Sequence, residues 1–143
     1  MKTEFRRSDV VDQVALDRDI KETCERILKR KQNLRGRKPE QVIEDTEIGL
    51  VLEHYLMQED SKFKKAIHLD PRDLYHDLKD TATGEIHECK VTRSKSGWDS
   101  YYIDRSIKRI TEVNWNRSKW MHLATYDQST GVYTYEGIKQ IRP

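Results

Sequence analysis

The sequence predicts an α/β fold with a central mixed β-sheet flanked by helices. Three observations carry this. Two long segments near the N-terminus repeat apolar residues at helical spacing. Two later stretches, 74–92 and 120–135, read as strand, turn, strand. A further helical stripe over 99–113 separates them. Helix, helix, strands, helix, strands is the order of a sheet layered with helices, not of a bundle or a sandwich.

The 143 residues read as a single domain, 1–143, with an N-terminal helical segment over about residues 8–58. Charged residues make up 36% and hydrophobic residues 35%, so a small core lies under a heavily charged surface. The net charge of +2 does not mark a nucleic-acid binder, although a total conceals local patches. Cys24 and Cys89 are far apart and lack CxxC spacing, which argues against a disulfide framework or a Cys-rich zinc site. An intracellular, cytoplasmic location is expected. No apolar run approaches the roughly 20 residues that span a bilayer, so no membrane partner is expected. No apolar stretch follows Met-Lys-Thr-Glu-Phe-Arg-Arg, so a signal peptide is not expected either.

In chain order, Ser8 or Asp9 caps a first helix whose stripe is Val10, Val14, Ile20, Cys24, Ile27 and Leu28. The basic run Lys29–Lys38 follows. Its Arg35, Arg37 and Lys38 are candidate phosphate contacts, against the competing reading of a solvated linker. Gly36 ends the helical pattern and Pro39 suits the first turn of a second helix, Pro39 to Gln58. Glu47 borders the apolar stripe of that helix, as an edge residue or as an acid leaning towards a site; Glu53 is its competitor. Residues 62–69 suggest a short strand, and Pro71 a break.

A hairpin follows, with strands Leu74–Leu78 and Ile86–Thr92 and with Thr81, Thr83 and Gly84 in the turn. Ile86, Glu88 and Lys90 share one face of the second strand; His87, Cys89 and Val91 share the other. Glu88 comes eleven residues after Asp77, enough for the chain to return. The turn thus brings Asp77, Glu88 and Lys90 together, two carboxylates and an ammonium suited to a divalent metal and an activated water. The bland alternative is a sheet-edge ion pair. Asp77-Leu78-Lys79 is a rival D-x-K, but it leaves almost no chain for a return strand before it.

Asp77…Glu88-Cys89-Lys90 resembles the D…(D/E)-x-K signature of the PD-(D/E)xK nuclease superfamily. With its flanking helices the resemblance covers roughly the middle half of the chain. His76 stands where that family often has proline. The resemblance implies a restriction-endonuclease-like core and a Mg²⁺-dependent DNA endonuclease, with Mn²⁺ as a substitute. It implies metal ligation by Asp77, Glu88, the main-chain carbonyl of Cys89 and a helix glutamate in the place of Glu47. Lys90 then sits near the attacking water. DNA as substrate is carried by the resemblance alone. Cutting both strands needs two active sites, so a homodimer or higher homo-oligomer is expected. The reading from another class is a non-catalytic nucleic-acid-binding or interaction module.

Beyond the hairpin, Arg93 and Lys95 lie in a polar loop, Thr92 to Trp98, placed to hold a phosphate backbone or merely to be solvated. Asp99 or Ser100 caps a helix over 99–113 with the stripe Tyr102, Ile103, Ile107, Ile110 and Val113. Lys108 and Arg109 lie on its polar side and are candidate backbone contacts. Trp120–Tyr126 and Val132–Tyr135 form a second hairpin about the turn 127–131. The five histidines show no HExxH spacing, and no glycine-rich phosphate loop or GxSxG occurs.

Overall fold

The segment Leu50–Leu56 decides how the chain packs. All seven of its residues are buried, so two turns of helix are covered on every side. The computed structural model describes residues 3–30, 36–93 and 97–143. Four helices, α1 (Gln13–Arg30), α2 (Pro39–Glu59), the single turn α3 (Ala66–Leu69) and α4 (Tyr101–Glu112), flank one mixed sheet. Its strands are β1 (Glu4–Arg6), β2 (Phe63–Lys65), β3 (Leu78–Asp80), β4 (Ile86–Thr92), β5 (Ser118–Asp127) and β6 (Val132–Gln140). They lie in the order β1-β6-β5-β4-β3-β2. β4 and β5 run parallel, and the other neighbours pair antiparallel. Parallel strands need a crossover, and α4 supplies it. None of the described helices is long and apolar enough to cross a membrane.

The core lies between the sheet and α1 and α2. Phe5 stacks on Tyr55 at 4.0 Å and on Tyr133 at 4.9 Å, and the Tyr133 hydroxyl donates to the Ile48 carbonyl at 3.0 Å. Cys89 and Val91 pack against this core from β4, as the alternation of that strand requires. Burial pushes the Cys89 thiol well up, so it stays protonated and packs as a small apolar group.

Three expectations about elements need correction, and one strand is an addition. β1 is new: three residues are too short for a periodic signal, yet Phe5 anchors the sheet edge. The first helix starts at Gln13 and turns Leu16, Asp19 and Cys24 inward, while Val14 is exposed. The misreading has a physical cause, since a buried acid, Asp19, occupies a position the stripe would give to an apolar residue. In α4 Ser100 is the cap, its Oγ accepting from Tyr102 N and Ile103 N, but Tyr102 points to solvent and Ser106 turns inward in its place. Finally, β3 begins at Leu78 and not at Leu74. The Asp73 carboxylate accepts from the backbone N–H groups of Tyr75 and His76, and that local turn outcompetes strand pairing. Asp77 therefore precedes its strand.

Candidate functional site

The hairpin turn is built by Asp80. Its carboxylate accepts from Ala82 N at 2.8 Å and Thr83 N at 3.2 Å, and Gly84 follows with φ 78°, a left-handed conformation that suits glycine. The turn sets the register Leu78↔His87 and Lys79↔Ile86. Carried one step further, that register puts Asp77 opposite Glu88. There the ladder has ended, and the Cys89 N–H that a longer β3 would have used donates to Asp77 Oδ2 at 2.8 Å. Glu88 Oε2 accepts from Ser118 Oγ at 3.2 Å, at the start of β5. The two side chains are close enough for each to change the other's ionisation.

That closeness has an electrostatic consequence. Burial and then the Glu88 charge push Asp77 well above the usual carboxylate range. Burial pushes Glu88 up to about 7, with Glu53 adding to the rise; Ser118, Asp77 and the Lys90 ammonium act against it. Two carboxyl groups held this close favour a shared proton, because burial and their mutual repulsion outweigh the pull of the nearby ammonium groups. Lys90, half-buried, lines the same cleft as both acids, a cavity of about 460 Å³.

Glu53 enters the cleft from α2. It is buried, and its Oε1 accepts from Lys65 Nζ at 3.0 Å. Burial pushes Glu53 up to about 7, Lys65 pulls against that, and Asp77 adds to the rise. Lys65, buried on β2, also reaches Asp19 Oδ2 at 2.8 Å, and the same oxygen meets His54 Nε2 at 2.7 Å. Burial alone would lower the Lys65 ammonium; Glu53 and Asp19 reverse it, and Lys65 stays charged. Burial alone would raise Asp19; His54 and Lys65 together hold it well below the usual range.

The structure thus brings Asp77, Glu88 and Lys90 to one cleft and does not bring Glu47 there. Glu47 pairs with Arg7, which also pairs with Asp17, and it lines a separate hollow with Arg6 and Arg7. Six residues along a helix is about 9 Å of rise and a different face, so Glu47 and Glu53 cannot serve the same spot. Glu53 is the helix acid of this cleft. Of the candidate phosphate contacts, Arg109 lines the cleft. Arg37 and Arg93 both pair with Asp45, at 2.8 and 2.7 Å, so these guanidiniums are engaged by α2. Lys38 is exposed at the start of α2 and Lys108 on α4, neither lining the cleft. Arg35 and Lys95 lie outside the described residues. Sequence reasoning passed over Lys65, Asp19 and His54. The signal was faint: a lysine two residues after Phe63 on a three-residue strand, and two polar residues inside helical stripes.

Among the described residues no three His, Cys, Asp or Glu side chains gather as a ready-made metal cage. The donor set is two neighbouring carboxylates, with the Lys90 ammonium lining the same cleft. That set fits a hard divalent cation such as Mg²⁺, which binds through one or two carboxylates and keeps several waters; it does not fit a structural zinc.

No protein-family model matches the chain, and no curated protein or solved structure is significantly similar to it.

Proposed function

We propose that this protein is a Mg²⁺-dependent endonuclease that hydrolyses phosphodiester bonds of DNA. The observation that supports this most is the placement of Asp77 and Glu88 opposite each other at the end of the β3–β4 ladder, lining one open cleft with Lys90. Asp77 and Glu88 would hold the metal, joined by the Cys89 carbonyl in the reading drawn from the resemblance. A bound Mg²⁺ lowers the pKa of a water and offsets charge on the phosphate.

The chain's own residues do the rest. Cys89 N–H and Ser118 Oγ aim the two carboxylates by fixing one oxygen of each. Lys90 carries a positive charge within reach of Glu88, where it orients the attacking water or stabilises charge gathering on the phosphate. Glu53, held by Lys65, stands behind the pair as a further acceptor for a metal-bound or attacking water. Arg109 meets the incoming backbone at the cleft wall.

The test is supercoiled plasmid with Mg²⁺ or Mn²⁺, using the native chain, Asp77→Asn and Lys90→Ala. Nicked or linear product from the native chain alone supports the reading. DNA binding without cleavage in either metal replaces it with a binding module.

A further inference from the structure

Two aromatic rings stand at the cleft that the core does not use. Tyr75 is 52% exposed and Trp115 53%, and both line the cavity that holds Asp77 and Glu88. Their centroids are 4.5 Å apart, with the planes tilted at 42°. Leaving two large rings half in water forgoes burial that would stabilise the fold.

Polar bonds nevertheless hold them there. Asp73 Oδ1 accepts from Tyr75 N at 3.2 Å and from His76 N at 3.0 Å. Asp73 Oδ2 meets His76 Nδ1 at 2.8 Å, and His76 Nε2 accepts from Arg117 N at 3.0 Å. His76 is thus a strut between the segment carrying Tyr75 and the one carrying Trp115. Both ends of the strut run directly into the acid pair. Asp77 follows His76, and Ser118, which bonds Glu88, follows Arg117. The rings are therefore fixed relative to the carboxylates. Lys90, Arg26 and Arg109 line the same cavity, among its acids, and are cations that can contact a phosphate backbone.

We propose that Tyr75 and Trp115 form a stacking platform for one unpaired nucleobase, in a DNA strand whose adjoining phosphate lies at Asp77, Glu88 and Lys90. This rests on the nuclease reading and narrows its substrate class. A base inside a duplex has both faces covered by its neighbours. A platform of this kind therefore selects single-stranded, flapped or bulged DNA over fully paired DNA.

The test is binding of labelled duplexes of equal length, one fully paired and one bearing a single unpaired 2-aminopurine. Ca²⁺ replaces Mg²⁺, and strand integrity is checked afterwards. The native chain is expected to bind the bulged duplex about tenfold more tightly and to quench the 2-aminopurine. Trp115→Ala and Tyr75→Ala are expected to lose the preference and the quench while keeping their affinity for the paired duplex; Trp115→Phe keeps most of both. Thermal unfolding of each variant identifies any that fail to fold, and Tyr75→Ala and Trp115→Phe then carry the comparison. Equal affinity for both duplexes overturns the proposal, as does Trp115→Ala weakening both alike. A chain that self-associates until Trp115 is removed, with DNA binding unchanged, assigns the rings to a second copy and also overturns it. If the native chain binds neither duplex, the nuclease reading falls together with this one; if it cuts plasmid but shows no preference, only this one falls.

Discussion

Two clusters of buried charge lie side by side in this protein, in opposite states. Asp19, His54 and Lys65 compensate one another, and Asp19 is held ionised well below its usual range. Asp77 and Glu88, on the other side of Glu53, face each other and are pushed up. Burial acts on both clusters. The difference is that in the first the Lys65 ammonium touches the acids directly, whereas in the second burial and neighbouring acids outweigh the pull of Lys90 and Lys65.

The largest effect expected from breaking the contrast is on chemistry. Asp77→Asn or Glu88→Gln should lower plasmid cleavage by about 10³-fold or more, the loss expected when metal stabilisation worth several kcal/mol disappears. The same substitutions should leave the metal-free thermal midpoint unchanged or higher, because each removes a carboxylate that repels its neighbour. A lowered midpoint would mean that the pair is a structural ion site. Next in size is Lys65→Met, which strands Asp19 and Glu53 in the interior. It should cost about 3–5 kcal/mol in urea unfolding; a cost below 1 kcal/mol would mean that water already reaches the cluster.

The pH dependence follows in size. Glu53 and Glu88 hold their protons up to about 7 when folded and release them near their ordinary 4.5 when unfolded. Folding thus takes up protons between those values, and the contribution is fully present below about 4.5 and lost as pH rises through about 7. His87 and His122, whose folded values are depressed, act in the opposite sense over much of that window. The acids are therefore read by difference: the midpoint of the metal-free native chain should fall relative to that of Glu88→Gln as pH rises, and saturating Mg²⁺ should reduce that fall. Asp19 works in the other sense but at lower pH, since its folded value is depressed. A native midpoint that rises relative to that of Glu88→Gln from pH 5 to 7 would contradict the raised state of the pair. The smallest effect is at Glu47. Breaking its pair with the half-exposed Arg7 by Glu47→Gln should change stability by about 0–1 kcal/mol and leave cleavage intact, whereas Glu53→Gln should slow cleavage, read as a fall in rate at saturating Mg²⁺.

Much of this arrangement was legible before the structure. Asp77, Glu88 and Lys90 could be placed because a hairpin has a two-residue period and a turn with recognisable chemistry at Thr81, Thr83 and Gly84. The helix acid was misplaced at Glu47, with Glu53 only its competitor. Both sit in one long helix, and the choice depends on where β2 sends the Lys65 ammonium, a tertiary fact. Asp19 was hidden for the same reason, since a buried charge inside a helical stripe reads as surface until its partner is found. Tyr75 escaped because Asp73 ends the strand pattern through side-chain bonds that periodicity does not register. β1 was too short to announce itself.

The most direct measurement is a calorimetric Mg²⁺ titration of the native chain and of Glu88→Gln, each at pH 6 and pH 8. If Asp77 and Glu88 share one cation, the native chain binds Mg²⁺ more tightly at pH 8 and releases protons as it does so, and Glu88→Gln binds at least about tenfold more weakly. Equal affinity in the two chains, or no binding to the native chain at either pH, would contradict the account.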